Sequence, residues 1–361
     1  MTDSPPNLPL RFDPSFEHAE PDEDKTTAEL SEALLRIARK TFADSGHAIR
    51  SVHAKNHGVV RGELQVLGDL PATLAQGLFT RPGRYPAILR FSTTPGDILD
   101  DKVSTPRGLG LKVLGVEGAR LPGSEDDATQ DFLFVDGPAF GVPSAKKFLG
   151  NLKLLAATTD RADGLKKVLS AVLQGTEKLL ESFGGKSGTL IALGGHARTH
   201  VLGASFFSQV PILYGDHMAK VSVAPVSPSL VALVAKPVDL DDKPNGLRDA
   251  VVAHFAKEGG EWEVRVQLCT DIEAMPIEDA SVEWSQETSP FVAVARIVVP
   301  PQPAAPADDS GLGDDRLAFS PWHGIAAHRP LGSIGRVRKA TYEASKEFRA
   351  TSNGCPIHEP R

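Results

Sequence analysis

The sequence predicts an α+β fold built on a largely antiparallel sheet that can close as a barrel. Two observations carry this. Short β-type runs fall into two groups, and helical periodicity is confined to stretches before, between and after them, so strands and helices are segregated and do not alternate as βαβ units.

Residues 1–28 are rich in Pro, Asp and Glu, as in Glu20-Pro21-Asp22-Glu23-Asp24, and read as a mobile tail. Leu30, Leu34, Leu35, Ile37 and Ala38 then recur at helical spacing, which predicts a helix starting near Thr27. Val59–Leu67, Ala87–Ser92, Leu109–Val116 and Phe132–Val135 are β-type runs separated by Gly and Pro. Helices are expected over Ser144–Ala157 and Ala162–Phe183, the second with Leu165, Val168, Leu169, Val172 and Leu173 on one face. Strands return at Ala219–Ala224, Leu230–Ala235, Trp262–Cys269 and Phe291–Val299. A Pro-, Ala- and Asp-rich loop, Pro300–Asp315, precedes a last helix over Ser333–Ala350, and there is no internal repeat. The organisation is one domain over 29–361 behind the tail.

With 361 residues, 41% hydrophobic and 24% charged, the chain can bury a sizeable core. The net charge of −7 comes from acids interleaved with Lys and Arg, which argues against a nucleic-acid partner. Two cysteines, Cys269 and Cys355, make no disulfide framework and fit a reducing cytoplasm. The start Met1-Thr2-Asp3-Ser4-Pro5-Pro6 has no basic or apolar export pattern, and no run of about 18 apolar residues predicts a membrane span.

The last helix places Arg338, Tyr342, Ser345 and Arg349 on one face, beside Val337, Thr341, Ala344 and Phe348. Such a stripe is read either as a solvated surface or as a site. A phenol with an ordinary pKa of ~10 ionises at neutral pH only beside a cation. Ferric iron with Arg338 one turn away is such a setting, and tyrosinate is a haem ligand. Far away in sequence, His53 precedes the first strand, and Arg90 lies in an apolar run that ends at Ser92. Each also reads as an ordinary structural or surface residue.

Taken in order, Arg50-Ser51-Val52-His53-Ala54-Lys55, Arg90-Phe91-Ser92-Thr93, Pro106-Arg107-Gly108-Leu109, Phe207-Ser208-Gln209-Val210-Pro211 and Arg338-Lys339-Ala340-Thr341-Tyr342 resemble successive landmarks of the haem catalases. The resemblance spans residues 29–350. It implies a catalase-like antiparallel barrel with surrounding helices, binding haem b with ferric iron. By the same resemblance His53 is the distal acid/base, Ser92 orients its imidazole, and Tyr342 is the iron ligand, with Arg338 supporting the phenolate. Arg50, Arg90 and Arg349 match the partners of the haem propionates, a use suited to guanidinium forks. Phe148 matches an aromatic beside the distal channel, and Phe140 belongs to the aromatic pair of the distal segment.

Two departures stand out in Phe134-Val135-Asp136-Gly137-Pro138-Ala139-Phe140-Gly141: Asp136 replaces a distal asparagine, and Gly141 replaces a phenylalanine that crowds the pocket. An ionised Asp136 is expected to favour the imidazolium of His53, and Gly141 to open space for bulky peroxides. The chain also stops soon after Tyr342, where full-length catalases continue into a wrapping segment and a helical domain. The basis for NADPH and an interlocked tetramer goes with them, while a homodimer stays open. The implied activity is that of the small catalase-related peroxidases: a ferryl intermediate formed from an organic hydroperoxide or hydrogen peroxide, with a small organic electron donor. Hydrogen peroxide disproportionation, a non-catalytic haem-binding protein and a hydroperoxide isomerase are the alternatives. His196 and His200, four apart, are weak as zinc ligands and read as loop or surface residues, and His57 as an exposed turn residue.

Overall fold

The computed structural model describes residues 8–103, 105–159, 198–304 and 314–360. The predicted helix 162–183, His196 and residues 305–313 of the predicted loop lie outside them. In chain order the elements are α1 (Glu23–Ser45), β1 (Lys55–Val66), β2 (Gly83–Thr93), β3 (Arg107–Leu114), β4 (Thr129–Val135), α2 (Ala145–Thr159), β5 (Phe206–Phe207), β6 (Ile212–Tyr214), β7 (His217–Pro225), α3 (Pro228–Val231), α4 (Gly246–Phe255), β8 (Gly260–Leu268), β9 (Val292–Val299) and α5 (Gly332–Ser352).

Every strand pairing is antiparallel, in the order β5-β4-β3-β2-β1-β9-β8-β7-β6. The two-residue strand β5 closes the ring: Phe207 pairs with Val135 of β4 on one side and with Ser222 of β7 on the other. Eight strands therefore form a barrel, which removes the exposed edges an open sheet would leave. β6 is attached outside the ring to β7.

Period-two alternation decides what faces inward. In β2, Ala87, Leu89 and Phe91 join the barrel core, with Leu109, Leu111 and Val113 of β3, Val221 and Val223 of β7, and Trp262, Val264 and Val266 of β8. At the centre the Phe91 ring lies 6.0 to 6.4 Å from the rings of Phe206, Phe255 and Trp262. The intervening residues Ile88, Arg90 and Ser92 of β2, and Gly108, Gly110 and Lys112 of β3, occupy the outer face. A second apolar cluster joins Leu30 of α1, Ala145 and Leu149 of α2, and Ile334 and Val337 of α5, and so holds the helices together beside the barrel.

Four sequence expectations are corrected. The stretch from Leu8 is not a mobile tail: Leu10 N–H donates to Cys269 O at 2.8 Å and Phe12 N–H to Asp216 O at 2.8 Å, while Leu10, Phe12 and Phe16 pack on a buried cluster around Trp284. Helix α1 starts at Glu23 rather than Thr27, because the acids read as disorder supply its first turn, where they favour the helix dipole. Leu230–Ala235 is not a strand. Pro228 follows Ser227 at a helix start, and the short run turns back on itself through Leu230 N–H to Ser227 O and Leu233 N–H to Leu230 O. His57 is fully buried in β1, its Nε2 3.1 Å from Thr93 Oγ1, not in an exposed turn. Helix α4, with Leu247, Val251 and Phe255 buried at i, i+4 and i+8, was not expected.

Among the described residues no helix is long and apolar enough to cross a membrane. Cys269 and Cys355 are both free thiols.

Candidate functional site

The outer face of β2 and β3 forms one wall of a pocket, and the absence of side chains on β3 creates its room. A Cβ on Gly108 would lie 2.4 Å from His53 Nδ1, and one on Gly110 would lie 3.0 Å from the Phe319 ring. The space lies between these strands, the segment around Phe319 and helix α5. His53, Arg90, Ser92, Phe319, Arg338 and Tyr342 all line it. A contiguous space shares Arg50, Val52, Phe319 and Tyr342 and runs on to Ser345 and Arg349. The one-face stripe of the last helix thus points into a site.

His53 enters from the segment before β1 with a backbone φ of 52°. A non-glycine residue in that left-handed region carries strain of about 1–3 kcal/mol, which the surroundings must hold. Ala54 N–H donates to Pro95 O at 3.0 Å, Arg90 Nη1 donates to His53 O at 3.0 Å, and Arg90 Nη2 donates to Ala54 O at 3.2 Å. The ring is fixed from the other side by Ser92 Oγ, 3.3 Å from Nδ1. Because the Ser92 hydroxyl donates to Gly108 O at 3.4 Å, its lone pair is left to accept Nδ1–H, and Nε2 is the unprotonated nitrogen. Burial, then the charges of Arg90 and Arg338, push the imidazole down to about 4 against the smaller upward pull of Asp136. The expected excess of imidazolium is therefore reversed: His53 is a free base at neutral pH.

The three arginines expected at the cofactor's carboxylates do converge, but on a residue the sequence did not single out. Asp314 Oδ1 is 2.6 Å from Arg90 Nε and 2.6 Å from Arg50 Nη1, and its Oδ2 is 2.9 Å from Arg90 Nη2. Arg50 Nη2 also donates to Leu317 O at 2.8 Å, as does Arg349 Nη2 at 2.9 Å. Although burial alone would raise it, the guanidiniums hold the Asp314 carboxyl well below the usual carboxylate range.

No family model and no curated protein matches the sequence. Solved structures do match the fold. A fungal catalase superposes with a TM-score of 0.57 at 16% identity, over 88% of this chain and 62% of that one. A bacterial catalase gives 0.60 at 17% identity, over 99% and 66%, and catalase A of Saccharomyces cerevisiae gives 0.57 at 18%, over 96% and 67%. This chain has the catalase fold. It spans 62% to 67% of the length of those catalases.

Asp136 Oδ1 accepts from Arg107 N–H at 2.9 Å where β3 and β4 meet, while its charge still acts on His53. The apolar part of the cavity wall is made by Leu109, Leu133, Val135 and Phe319. Phe140 and Phe148 meet edge to face at 5.4 Å, packed against the apolar cluster of the helices. Their link to the site is Arg338, whose guanidinium lies 5.9 Å from the Phe140 ring centroid. Among the described residues no hydrogen bond joins Arg338 to Tyr342.

His200, half of the weak zinc pair, is buried and accepts Leu202 N–H through Nδ1 at 3.2 Å. Among the described residues no group of three His, Cys, Asp or Glu is placed to hold a bare metal ion. Phe319 and Asp314 were missed because a lone aromatic and a loop acid carry no periodicity; the only signal was the turn dipeptide Ser320-Pro321 after Phe319.

Proposed function

We propose that this chain is a haem-dependent peroxidase that reduces organic hydroperoxides and hydrogen peroxide. One observation carries the reading: a single cavity brings His53, braced by Ser92, together with Tyr342 and Arg338 from the far end of the chain. A flat group bearing carboxylates fits the residues present. Gly108 and Gly110 leave a wall without side chains, Tyr342 offers a phenol oxygen, and three guanidiniums against one carboxylate leave two positive charges beside the cavity. Haem b carries two propionates, which matches that surplus.

Tyr342 would hold the iron through its oxygen, with Arg50 and Arg349 meeting the propionates and Arg338 adding positive charge at the pocket. The bound haem would supply the electron-accepting centre that cleaves a peroxide bond. The residues of the chain handle the proton. Nε2 of His53, unprotonated at neutral pH, takes the proton from the hydroperoxide and returns it to the departing oxygen as water or alcohol. Overall, the peroxide takes up two electrons and two protons to give an alcohol and water, the electrons coming from a small organic donor. Leu109, Leu133, Val135 and Phe319 offer an apolar wall to the organic group of a hydroperoxide.

The test is a visible spectrum of the purified chain with haemin, followed by peroxide. One haem per chain with an oxygen-ligated ferric spectrum is expected, lost in Tyr342→Phe. His53→Ala should keep haem and lose about 100- to 10,000-fold in its reaction with peroxide. Oxygen evolution outrunning donor oxidation in the wild type would move the reading to a catalase. Unchanged haem content and spectrum in Tyr342→Phe would remove the ligand.

A further inference from the structure

Arg90 is one of three arginines expected to grip the cofactor's carboxylates, yet its bonds already have other owners. Of the five N–H donors on a guanidinium, Nε and Nη2 hold the two oxygens of Asp314 at 2.6 and 2.9 Å, while Nη1 and Nη2 hold the carbonyls of His53 and Ala54 at 3.0 and 3.2 Å. One N–H remains, too few for a bidentate grip on a ligand. Arg50 and Arg349 differ. Their bonds go to main-chain oxygens of Asp314 and Leu317 and, for Arg50, to one carboxylate oxygen, which leaves donors on both side chains.

The carbonyls that Arg90 holds belong to the residue whose backbone is in the left-handed region and to the one after it. Extended backbone at residue 53 would swing those carbonyls and the imidazole away together, since the ring and the carbonyl hang on the same Cα. Arg90 and Asp314 are both buried, so these bonds are not exposed to bulk solvent.

We propose that Arg90 and Asp314 form a positioning pair for His53: Arg90 fixes the backbone that aims the imidazole, and Asp314 clamps Arg90, leaving Arg50 and Arg349 to meet the ligand's carboxylates. The proposal rests on the reading of His53 as the proton-transfer group, and neither residue of the pair touches the reacting atoms.

The test uses the full chain without haem, carrying ¹³C-labelled histidine, with the His53 signals assigned by their loss in His53→Gln. Two quantities are read: the Cα and Cβ shifts of His53, which report a left-handed backbone, and the pH titration of its ring. The charged groups facing that ring are Arg90 from β2, Arg338 from α5 and Asp136 after β4; Arg50 and Tyr342 line the same pocket. Arg90→Lys keeps the charge but cannot hold two carboxylate oxygens and two carbonyls at once. It is expected to move the Cα and Cβ shifts to ordinary extended values and to raise the ring pKa by about one unit or more as the imidazole gains solvent. Asp314→Asn should move the backbone shifts in the same direction, and Asp314→Glu, which keeps the charge, should restore them in part.

If folded Arg90→Lys and Asp314→Asn both leave the shifts and the titration of His53 as in the wild type, the pair does not position it. Should Asp314→Asn fail to fold, Arg90→Lys and Asp314→Glu, which keep every charge, decide the matter. A haemin titration run alongside separates this proposal from the functional reading. A chain that binds no haemin yet shows the His53 changes loses the function and keeps the pair, and one that binds haemin with His53 unmoved does the reverse.

Discussion

Arg50, Arg90 and Arg349 around Asp314 make one buried charge cluster, and Lys112 between Asp131 and Glu359 makes another, with Phe319 between them. Lys112 Nζ lies 2.6 Å from each of its two carboxylates and 5.4 Å from the ring centroid of Phe319, which also lines the cavity. The charge balance differs. The arginine cluster has more cations than its one carboxylate can neutralise, and it opens on a cavity. The lysine cluster has one cation for two acids, is sealed, and spends its remaining acceptors on the fold: Thr129 Oγ1 donates to Glu359 at 3.1 Å and Ser320 N–H to Asp131 at 2.9 Å. Unbalanced buried charge facing a cavity marks a place for a ligand, whereas charge closed on itself marks a joint of the structure.

The largest effect should come from breaking that joint. Lys112→Met removes the ammonium that both Asp131 and Glu359 contact, and removing one partner from a buried ion pair costs about 3–5 kcal/mol. Thermal or denaturant unfolding measures it. A loss under about 1 kcal/mol would mean that the cluster does not hold the Phe319 segment against the barrel.

The arginine cluster should respond differently. Arg50→Gln and Arg349→Gln are each expected to weaken haemin binding by about tenfold or more, the worth of a hydrogen bond between charged groups. The melting temperature of the haem-free chain should change far less than in Lys112→Met, since these two variants relieve crowding among like charges around Asp314. Equal losses of melting temperature in all three variants, with haemin affinity unmoved, would erase the distinction between the clusters.

The contrast also separates what the sequence reveals from what it hides. The stripe Arg338, Tyr342, Ser345 and Arg349 was legible because a helix repeats on itself, and three of the four side chains carry distinctive chemistry. The longer barrel strands were legible as short β-type runs bounded by Gly and Pro, and their observed limits differ from the expected runs by a few residues at most, as in β1 and β3. Asp314 was not legible: it sits at the end of a Pro-, Ala- and Asp-rich run read only as a separator, and its meaning comes from three arginines distant in sequence. The bond made by Asp136 was hidden for a related reason. Alignment by order gives a position along the chain, while the direction of a carboxylate at a strand end depends on the nearest N–H, here that of Arg107. Leu230–Ala235 was misread because a short apolar run has the same composition in a turn as in a strand.

The smallest effect expected is the pH dependence that the lysine cluster contributes. Burial, reinforced by the nearby Glu359 and opposed by Lys112, raises the Asp131 carboxyl from an ordinary 3.8 to about 7. Above 3.8 the unfolded chain has given up this proton while the folded chain keeps it, so the folded state binds more protons and stability falls as pH rises. The contribution is complete below the unfolded value and is lost as pH passes through about 7. Glu359 shifts the other way, held below 4.5 chiefly by Lys112 against the cost of burial, so its contribution is present above that value and disappears only in acid. The two windows do not overlap, which lets one substitution isolate the first. Asp131→Asn keeps a carbonyl oxygen for Ser320 N–H and removes the titration. Between pH 6 and pH 8 the melting temperature of Asp131→Asn should gain steadily on that of the wild type, because only the wild type loses this contribution; the histidines that burial holds near 4 act equally on both proteins. The same slope in both proteins would show that Lys112 is shared evenly by two ionised carboxylates, and that this cluster is as fixed in charge as the one around Asp314.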